Sequence, residues 1–493
     1  MRLLATLLPG SARMRLSVPV LLAGTLSFLA GCPGPQPDAP EPGAAPPLAD
    51  AELSLIVVDD PAIARSAERL RGEWNLQTGG GFSVTETTAE ELLVTASLPG
   101  DAVILPSALL GSVVEREATV PSLSRALITG VSDEQRGEWS DVFEALRHGE
   151  AVWGTSEVAV PFGSPVFVCY YRADLLEQLD RPPPRTWDEY LAVARLLAEA
   201  NPGTEPWHGA VEPLGPGWAG LVLLARAAPY AKHRENYSVW FDIQTMAPLI
   251  AGPPLVRALE ELVEAAKLGP VDTLELDPDG ARRAFWTGRA GMALSWPTAA
   301  ADDLPPDPGD ALRAGFAELP GSKKVYNVSR SRWDDRLADE CPHVPLLSIA
   351  GRLGVVTRGS AHPEATQELL MWLSGRHWSP TVCAKSPATT LFRQEHVSAP
   401  AAWVEPPASP DAAARYAAAT AAALGRRTWV TALRIPGREA YLAALDQAVH
   451  AAVRGEATPQ EALNAAAESW RATTDSLGLD RQRTAYRRSL GFD

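Results

Sequence analysis

The sequence predicts an α/β fold whose sheet is mostly parallel and wrapped by helices, and three stretches carry that reading. "LSLIVVDD" (53–60) is a continuous apolar run of the kind that forms a strand buried on both faces. "FSVTET" (82–87) follows a helical stretch from Pro61 to Leu76 and a turn at Gly79-Gly80-Gly81. "DAVILP" (101–106) follows a further helix near 88–96. Strand–helix–strand–helix–strand with short links implies parallel pairing. In open sheets of this kind ligands sit beyond the carboxyl ends of the strands. Those ends carry Asp59, Asp60 and Ser107. Successive strand side chains point to opposite faces, so Asp59 and Asp60 cannot both face one ligand. Helix caps and turn polars explain these three residues about as well.

Ahead of the first strand lies an address label. Arg13 and Arg15 precede Leu16–Ala30, an uncharged run ending in Leu29-Ala30-Gly31-Cys32. A run of about 15 residues is shorter than the ~20 that cross a bilayer as a helix. Leu-Ala-Gly-Cys resembles the lipobox of bacterial lipoproteins, which implies residues 1–31 as a signal peptide and Cys32 as the acylated new N-terminus. Residues 33–50 hold seven prolines in eighteen positions, so 32–50 reads as an extended tether to the membrane. The expected location is extracytoplasmic and membrane-anchored.

The formal charge of −16 includes Arg2, Arg13 and Arg15, so loss of the leader leaves −19. Such a chain does not bind nucleic acid, which needs basic patches. With Cys32 acylated, Cys169, Cys341 and Cys383 remain. Cys169 lies in an apolar run and reads as a core thiol, and Cys341–Cys383 is the one pairing that export leaves to consider. No His-Glu-x-x-His, Cys-x-x-Cys or Gly-x-Ser-x-Gly occurs, and eight histidines are scattered without ligand spacing. No metal, cofactor or catalytic residue is expected. From Asp50 onward some 440 residues remain, enough for two domains by the usual size range, without a repeat or a second membrane-length run.

"VAVPFGSPVFVCYYRADLL" (158–176) places two short apolar runs around Pro161–Pro165, with a helix starting near Asp174. Pro182-Pro183-Pro184 then breaks that helix. Thr186 and Glu189 form a capping box for the next one, and Trp187, Tyr190, Leu191, Ala194 and Leu197 share its apolar face. Asn201-Pro202-Gly203 stops it.

That strand end, proline turn and Thr-Trp-Asp-Glu start resemble the bacterial extracellular solute-binding protein family 1, the binding subunits of ABC importers for sugars and related solutes. "FWTGRAGMALSWP" (285–297), "GRLGVVTRGSAHPEATQELLMWLSG" (351–375) and "RGEATPQEALNAAAESW" (454–470) resemble further family segments in the expected order. The last begins on a second capping box, Thr458 to Glu461, with Pro459 at N1. The resemblance covers most of 50–475. It implies a two-lobed clamp, each lobe a mostly parallel sheet with helices. One lobe would hold 50–160 and 350–392, the other 161–349 and 393–493, with hinge strands near "VAVPF" and "LLSIAG". Residues 322–343 depart from the pattern as an insertion, and the basic tail Arg481–Arg488 runs beyond the common end.

Sugars present flat C–H faces and a rim of hydroxyls, so a binder needs aromatic plates and hydrogen-bonding groups. Trp296 matches the family's Trp-Pro position, and Trp218 lies in a Gly/Pro loop before an apolar helix. Tyr171 and Tyr441 are further aromatic candidates. Asp59, Asp60, Ser107, Ser164, Glu212 and Arg393 are the polar ones. Trp74, Trp187, Trp372 and Trp470 lie on apolar helix faces and read as packing. The resemblance implies a monomeric, lipid-anchored receptor that holds a small polar solute and delivers it to ABC permease subunits. Two other classes stay open at this point. A tethered carbohydrate-active enzyme would need two carboxylates about 5–10 Å apart across a cleft. A sensor would hand the closed form to a signalling protein.

Overall fold

The computed structural model describes residue 48 and residues 51–95, 97–116, 122–123, 138–200, 203, 206–301, 304 and 312–493. The leader, Cys32 and nearly all of the proline tether lie outside them. Among the described residues nine strands form the two larger sheets: β1 Glu52–Val58, β2 Gly81–Thr87, β3 Ala102–Pro106, β4 Val160–Pro161, β5 Val168–Arg172, β6 His208–Val211, β7 Ala290–Ser295, β8 Ala314–Glu318 and β9 Arg352–Val356.

The first sheet runs β2-β1-β3-β9-β4. Its first three strands are parallel, as expected from the alternation of strands and helices. Leu53, Leu55 and Val57 enter one buried cluster, while Ile56 and Val58 enter another on the opposite face. That two-sided burial is why the strand is apolar at nearly every position. Each side chain withdrawn from water there contributes about 1.5–3 kcal/mol. β9 returns antiparallel to β3 and to β4.

The second sheet runs β8-β5-β7-β6. Only β6–β7 is parallel, whereas β5 pairs antiparallel with both β7 and β8. The expectation of a mostly parallel sheet thus holds for the opening half of the chain, and the second sheet is mixed. The chain leaves the first sheet after β4, builds the second, and re-enters the first at β9. Helix Pro410–Leu424 then returns to the second sheet, where Tyr416 packs edge-on against Phe316 of β8 at 5.7 Å.

Local signals hold with two corrections. The helical stretch after β1 is two helices, Pro61–Arg69 and Arg71–Thr78, the second closed by left-handed Gly79 at φ 76. Thr186 caps helix Trp187–Glu199 by accepting from Glu189 N. The Glu189 carboxylate, however, takes the amide of Arg185, not that of Thr186. Thr186 also sits in a parallel β-bridge with Gly321, through Trp187 N to Gly321 O and Gly321 N to Arg185 O. The boxes Thr458/Glu461 and, unforeseen, Thr88/Glu91 are complete. Trp74, Trp187 and Trp470 are fully buried, and Trp372 packs on Trp74 at 5.2 Å.

Cys169, Cys341 and Cys383 are free thiols, so the Cys341–Cys383 pairing does not form. Cys383 is buried beside helix Ser379–Val382, while Cys341 is half-buried beyond the hairpin of the 322–343 insertion. That hairpin pairs Lys324–Asn327 with Arg332–Asp335 and sets Trp333 edge-on against Tyr230 at 5.9 Å. The basic tail forms helix Leu479–Ser489. No helix among the described residues is long and apolar enough to cross a membrane.

Candidate functional site

β1 delivers its carboxyl end to a buried polar network where the chain passes between the sheets. Asp59 turns the backbone at φ 50, and Asp60 then caps helix Pro61–Arg69 through Ile63 N at 3.1 Å. Arg352, the first residue of β9, lies opposite Pro106 at the end of β3, so its guanidinium reaches back to the end of β1. Its Nε is 2.9 Å from the Asp60 carboxylate, and its Nη2 donates to the Asp59 carbonyl at 2.8 Å. Ser386 Oγ donates to the same Asp60 oxygen at 2.5 Å. A buried pair of this kind is held by such extra hydrogen bonds as much as by its charges.

Beside it, Ser107 binds the turn before β9 twice, N–H to Gly351 O at 3.0 Å and Oγ to Ala350 O at 2.9 Å. Ser164 Oγ lies 2.8 Å from Ala350 O and 2.9 Å from a Glu150 carboxylate oxygen. Gly351 has φ 120, and a Cβ there would meet Ser164 Oγ at 2.3 Å, so the turn demands glycine. Burial pushes the Glu150 carboxyl above its ordinary value, opposed by hydrogen bonds from Ser164 and Ser348 and by the Arg434 charge.

The aromatic part lies at the end of β7. Trp296 packs on Phe167 at 5.7 Å and on Trp218 at 5.5 Å, both tilted. Arg282 fixes its backbone by donating to Trp296 O at 3.1 Å. Trp218 opens helix Ala219–Ala231 from a Gly-Pro-Gly turn, and Asp446 holds that turn through the amides of Gly217 and Gly220. Trp296 is 4% exposed, while Trp218 is half-buried and packs against the core. Residues 385–387 join the two parts: Ser386 reaches Asp60, Pro387 O accepts from Trp296 Nε1 at 3.1 Å, and Lys385 Nζ donates to Ala299 O at 3.1 Å.

The structure therefore brings together Asp60, Ser107, Ser164, Trp296 and Trp218, with Asp59 exposed at the edge and accepting from Ala89 N. The remaining candidates are engaged elsewhere. Glu212 pairs in the core with Arg226, whose guanidinium stacks on Trp187 at 3.8 Å. Tyr171 is buried, with its hydroxyl 3.4 Å from Arg415 Nη1. Tyr441 packs among Phe241 and Trp470 and bonds Thr474 through its hydroxyl. Arg393 is buried between Glu138, Asp141 and the Ser374 carbonyl. Arg352, Ser386 and Glu150 were not foreseen. A charge opening the apolar run "GRLGVV" was a visible sign of Arg352, whereas Ser386 and Glu150 sit in no pattern.

Two sheets that the chain crosses more than once, with a buried polar network and paired indoles between their strand ends, make a two-lobed α/β fold. Residues 120–376 match the model of the bacterial extracellular solute-binding protein family, and the chain belongs to that family. Solved structures repeat its fold. A solute-binding protein of an ABC transporter from Agrobacterium radiobacter K84, in complex with ribitol, has TM-score 0.58 and 19% identity, over 86% of this chain and 100% of that one. The maltose-bound MalE3 of T. maritima has TM-score 0.59 and 18% identity over 86% and 99%. A Thermotoga lettingae solute-binding protein bound with α-D-tagatose has TM-score 0.60 and 14% identity over 86% and 100%. No curated protein matches the sequence.

Proposed function

We propose that this protein is the lipid-anchored, extracytoplasmic binding subunit of an ABC importer, that it holds a neutral sugar or polyol between its lobes, and that it delivers the solute to permease subunits. The observation that carries this is half-buried Trp218 packed on Trp296, beside the polar network of Asp60, Arg352 and Ser386. An indole face offers a plate to the C–H face of a sugar, and the polar edge can take its hydroxyls. The ligands named for the three similar structures, ribitol, maltose and tagatose, are all polyhydroxylated and uncharged.

In this reading Trp218, Trp296 and Asp59 touch the solute. Asp60, Ser107 and Ser164 set the hinge, while Tyr171, Tyr441, Glu212 and Arg393 support the lobes. The lobes divide as 50–160 with 350–392 and 161–349 with 393–493, and the protein acts as a monomer. Cys32 carries the lipid after loss of 1–31, and 32–50 is the tether. Calorimetric titration with a panel of sugars and polyols tests the binding claim, and saturable heats for at least one are expected. Silence across the panel would remove the sugar assignment. Replacement of Cys32 by Ser tests the anchor, because the protein should then appear in the soluble fraction.

A further inference from the structure

The 322–343 insertion plays no part in the hinge site, yet it builds one wall of a large cavity elsewhere. That cavity holds about 740 Å³, within the range of small-molecule sites. Its second wall is the end of helix Pro410–Leu424 with residues 425–428, and its floor is residues 232–234. Asp60, Arg352 and Trp296 of the candidate site do not line it.

Charge distinguishes it in a chain of net −16. Two of its cations are already compensated: Arg426 binds Glu318 and Arg234 binds Glu340. Three are not. Lys232 Nζ donates to the Asn236 carbonyl at 3.0 Å, and no carboxylate among the described residues lies within ion-pair distance. Arg336 donates Nε to Ser322 O and Nη2 to Pro229 O, which pins one edge of the guanidinium, and among the described residues Nη1 has no hydrogen-bond partner. Arg427 is exposed and has no ion pair among the described residues. Burial alone draws the Lys232 pKa down, and burial draws that of Arg336 down against the opposing pull of nearby Glu340 and Cys341. Asp339 is the lining carboxylate left over, exposed on the insertion.

We propose that this cavity is a second ligand site, for a small polyvalent anion whose carboxylate or phosphate oxygens are taken by Lys232, Arg336 and Arg427. A planar guanidinium held at one edge presents its other edge in a fixed direction, which suits such oxygens. Half-buried Cys341 also lines the cavity, whereas Cys169 and Cys383 are buried. An occupied site therefore shields the one accessible thiol among the described residues.

The test uses the full chain, with citrate as the carboxylate probe, inorganic phosphate as the phosphate probe, and sodium chloride at matched ionic strength as the control. Iodoacetamide alkylation of Cys341 is followed by peptide mass spectrometry, and binding is measured independently by calorimetry. The site predicts saturable protection by citrate or phosphate, no protection by chloride, and affinity reduced about tenfold or more in Arg336→Gln. Because Arg336 also anchors the hairpin, exposed Arg427→Gln serves as the second variant and should weaken binding without changing the melting temperature. Protection equal in chloride, absence of binding for both anions, or affinity unchanged in both variants would overturn the proposal. Citrate alone or phosphate alone assigns the oxygen donor.

Discussion

The indole of Trp296 donates its Nε1 hydrogen to the Pro387 carbonyl at 3.1 Å, tying the end of the second sheet to the loop whose Ser386 holds Asp60 of the first. This bond sets what each tryptophan does. Trp296 is a buried wall held by Phe167 and Pro387, and Trp218 packs on it at a tilt while staying only half-buried. Trp218→Ala should weaken solute binding by about 2 kcal/mol, roughly 30-fold, with little loss of stability. Trp296→Ala should lose binding and about 3–5 kcal/mol of stability together, because it empties a packed site. Calorimetry alongside thermal melts separates the two, and equal destabilisation by both changes would reject the division of roles.

Asp60→Ala should be among the most damaging single changes at the hinge. It removes a helix cap and leaves Arg352 buried with the Asp59 carbonyl and no carboxylate at its Nε. Breaking one side of such a pair costs about 3–5 kcal/mol. Denaturant unfolding reads this as a lower midpoint at constant slope, and a loss under about 1 kcal/mol would mean that the pair is not holding the hinge.

Acid should unfold the protein partly through His396. The imidazole is buried against Trp403, with ring centroids 4.4 Å apart, and accepts from Phe392 N through Nδ1. Its Nε2 therefore carries the proton and meets Ser379 Oγ at 2.9 Å. Burial, reinforced by the Arg393 charge, pushes its pKa from an ordinary 6.5 down to about 3. The unfolded chain takes up the proton first, so the stability present above pH 6.5 falls as pH drops towards 3. The slope is about 1.4 kcal/mol per pH unit. His396→Gln should flatten the melting temperature across that window relative to wild type, and an unchanged pH dependence would assign the acid sensitivity elsewhere.

The C-terminal helix acts as a strap. Tyr486 places its hydroxyl 2.6 Å from Ser238 Oγ, while Arg488 reaches Glu115 at 2.8 Å and accepts Gly154 N on its carbonyl. Tyr486→Phe should cost about 1–3 kcal/mol through the unsatisfied groups it leaves. Arg488→Ala, half-exposed, should cost less. The reverse order in thermal melts would contradict this reading of the strap.

How far the sequence carries depends on the range of the interaction. β1, its helices and the caps at Thr186 and Thr458 were legible because periodicity and capping are local. The antiparallel pairing of β5 was not, since it depends on β7 and β8, more than a hundred residues downstream. Trp218 and Trp296 could be singled out by residue type and motif, but not as neighbours 5.5 Å apart. The buried surroundings of Tyr441 and Glu212 were illegible for the same reason. An aromatic or a carboxylate looks alike in sequence whether it faces solvent or, as here, meets Trp470 or Arg226 in the core.

Closure around a solute is read as ligand-induced compaction, because a clamp that closes on its solute must shift population between two shapes. Small-angle X-ray scattering of the wild-type protein and of Trp218→Ala, titrated with the sugar or polyol that gives calorimetric heat, reads that shift. A saturable fall in radius of gyration is expected for wild type, displaced to higher concentration in Trp218→Ala. Binding without compaction, or compaction equally sensitive to ligand in both proteins, would contradict it.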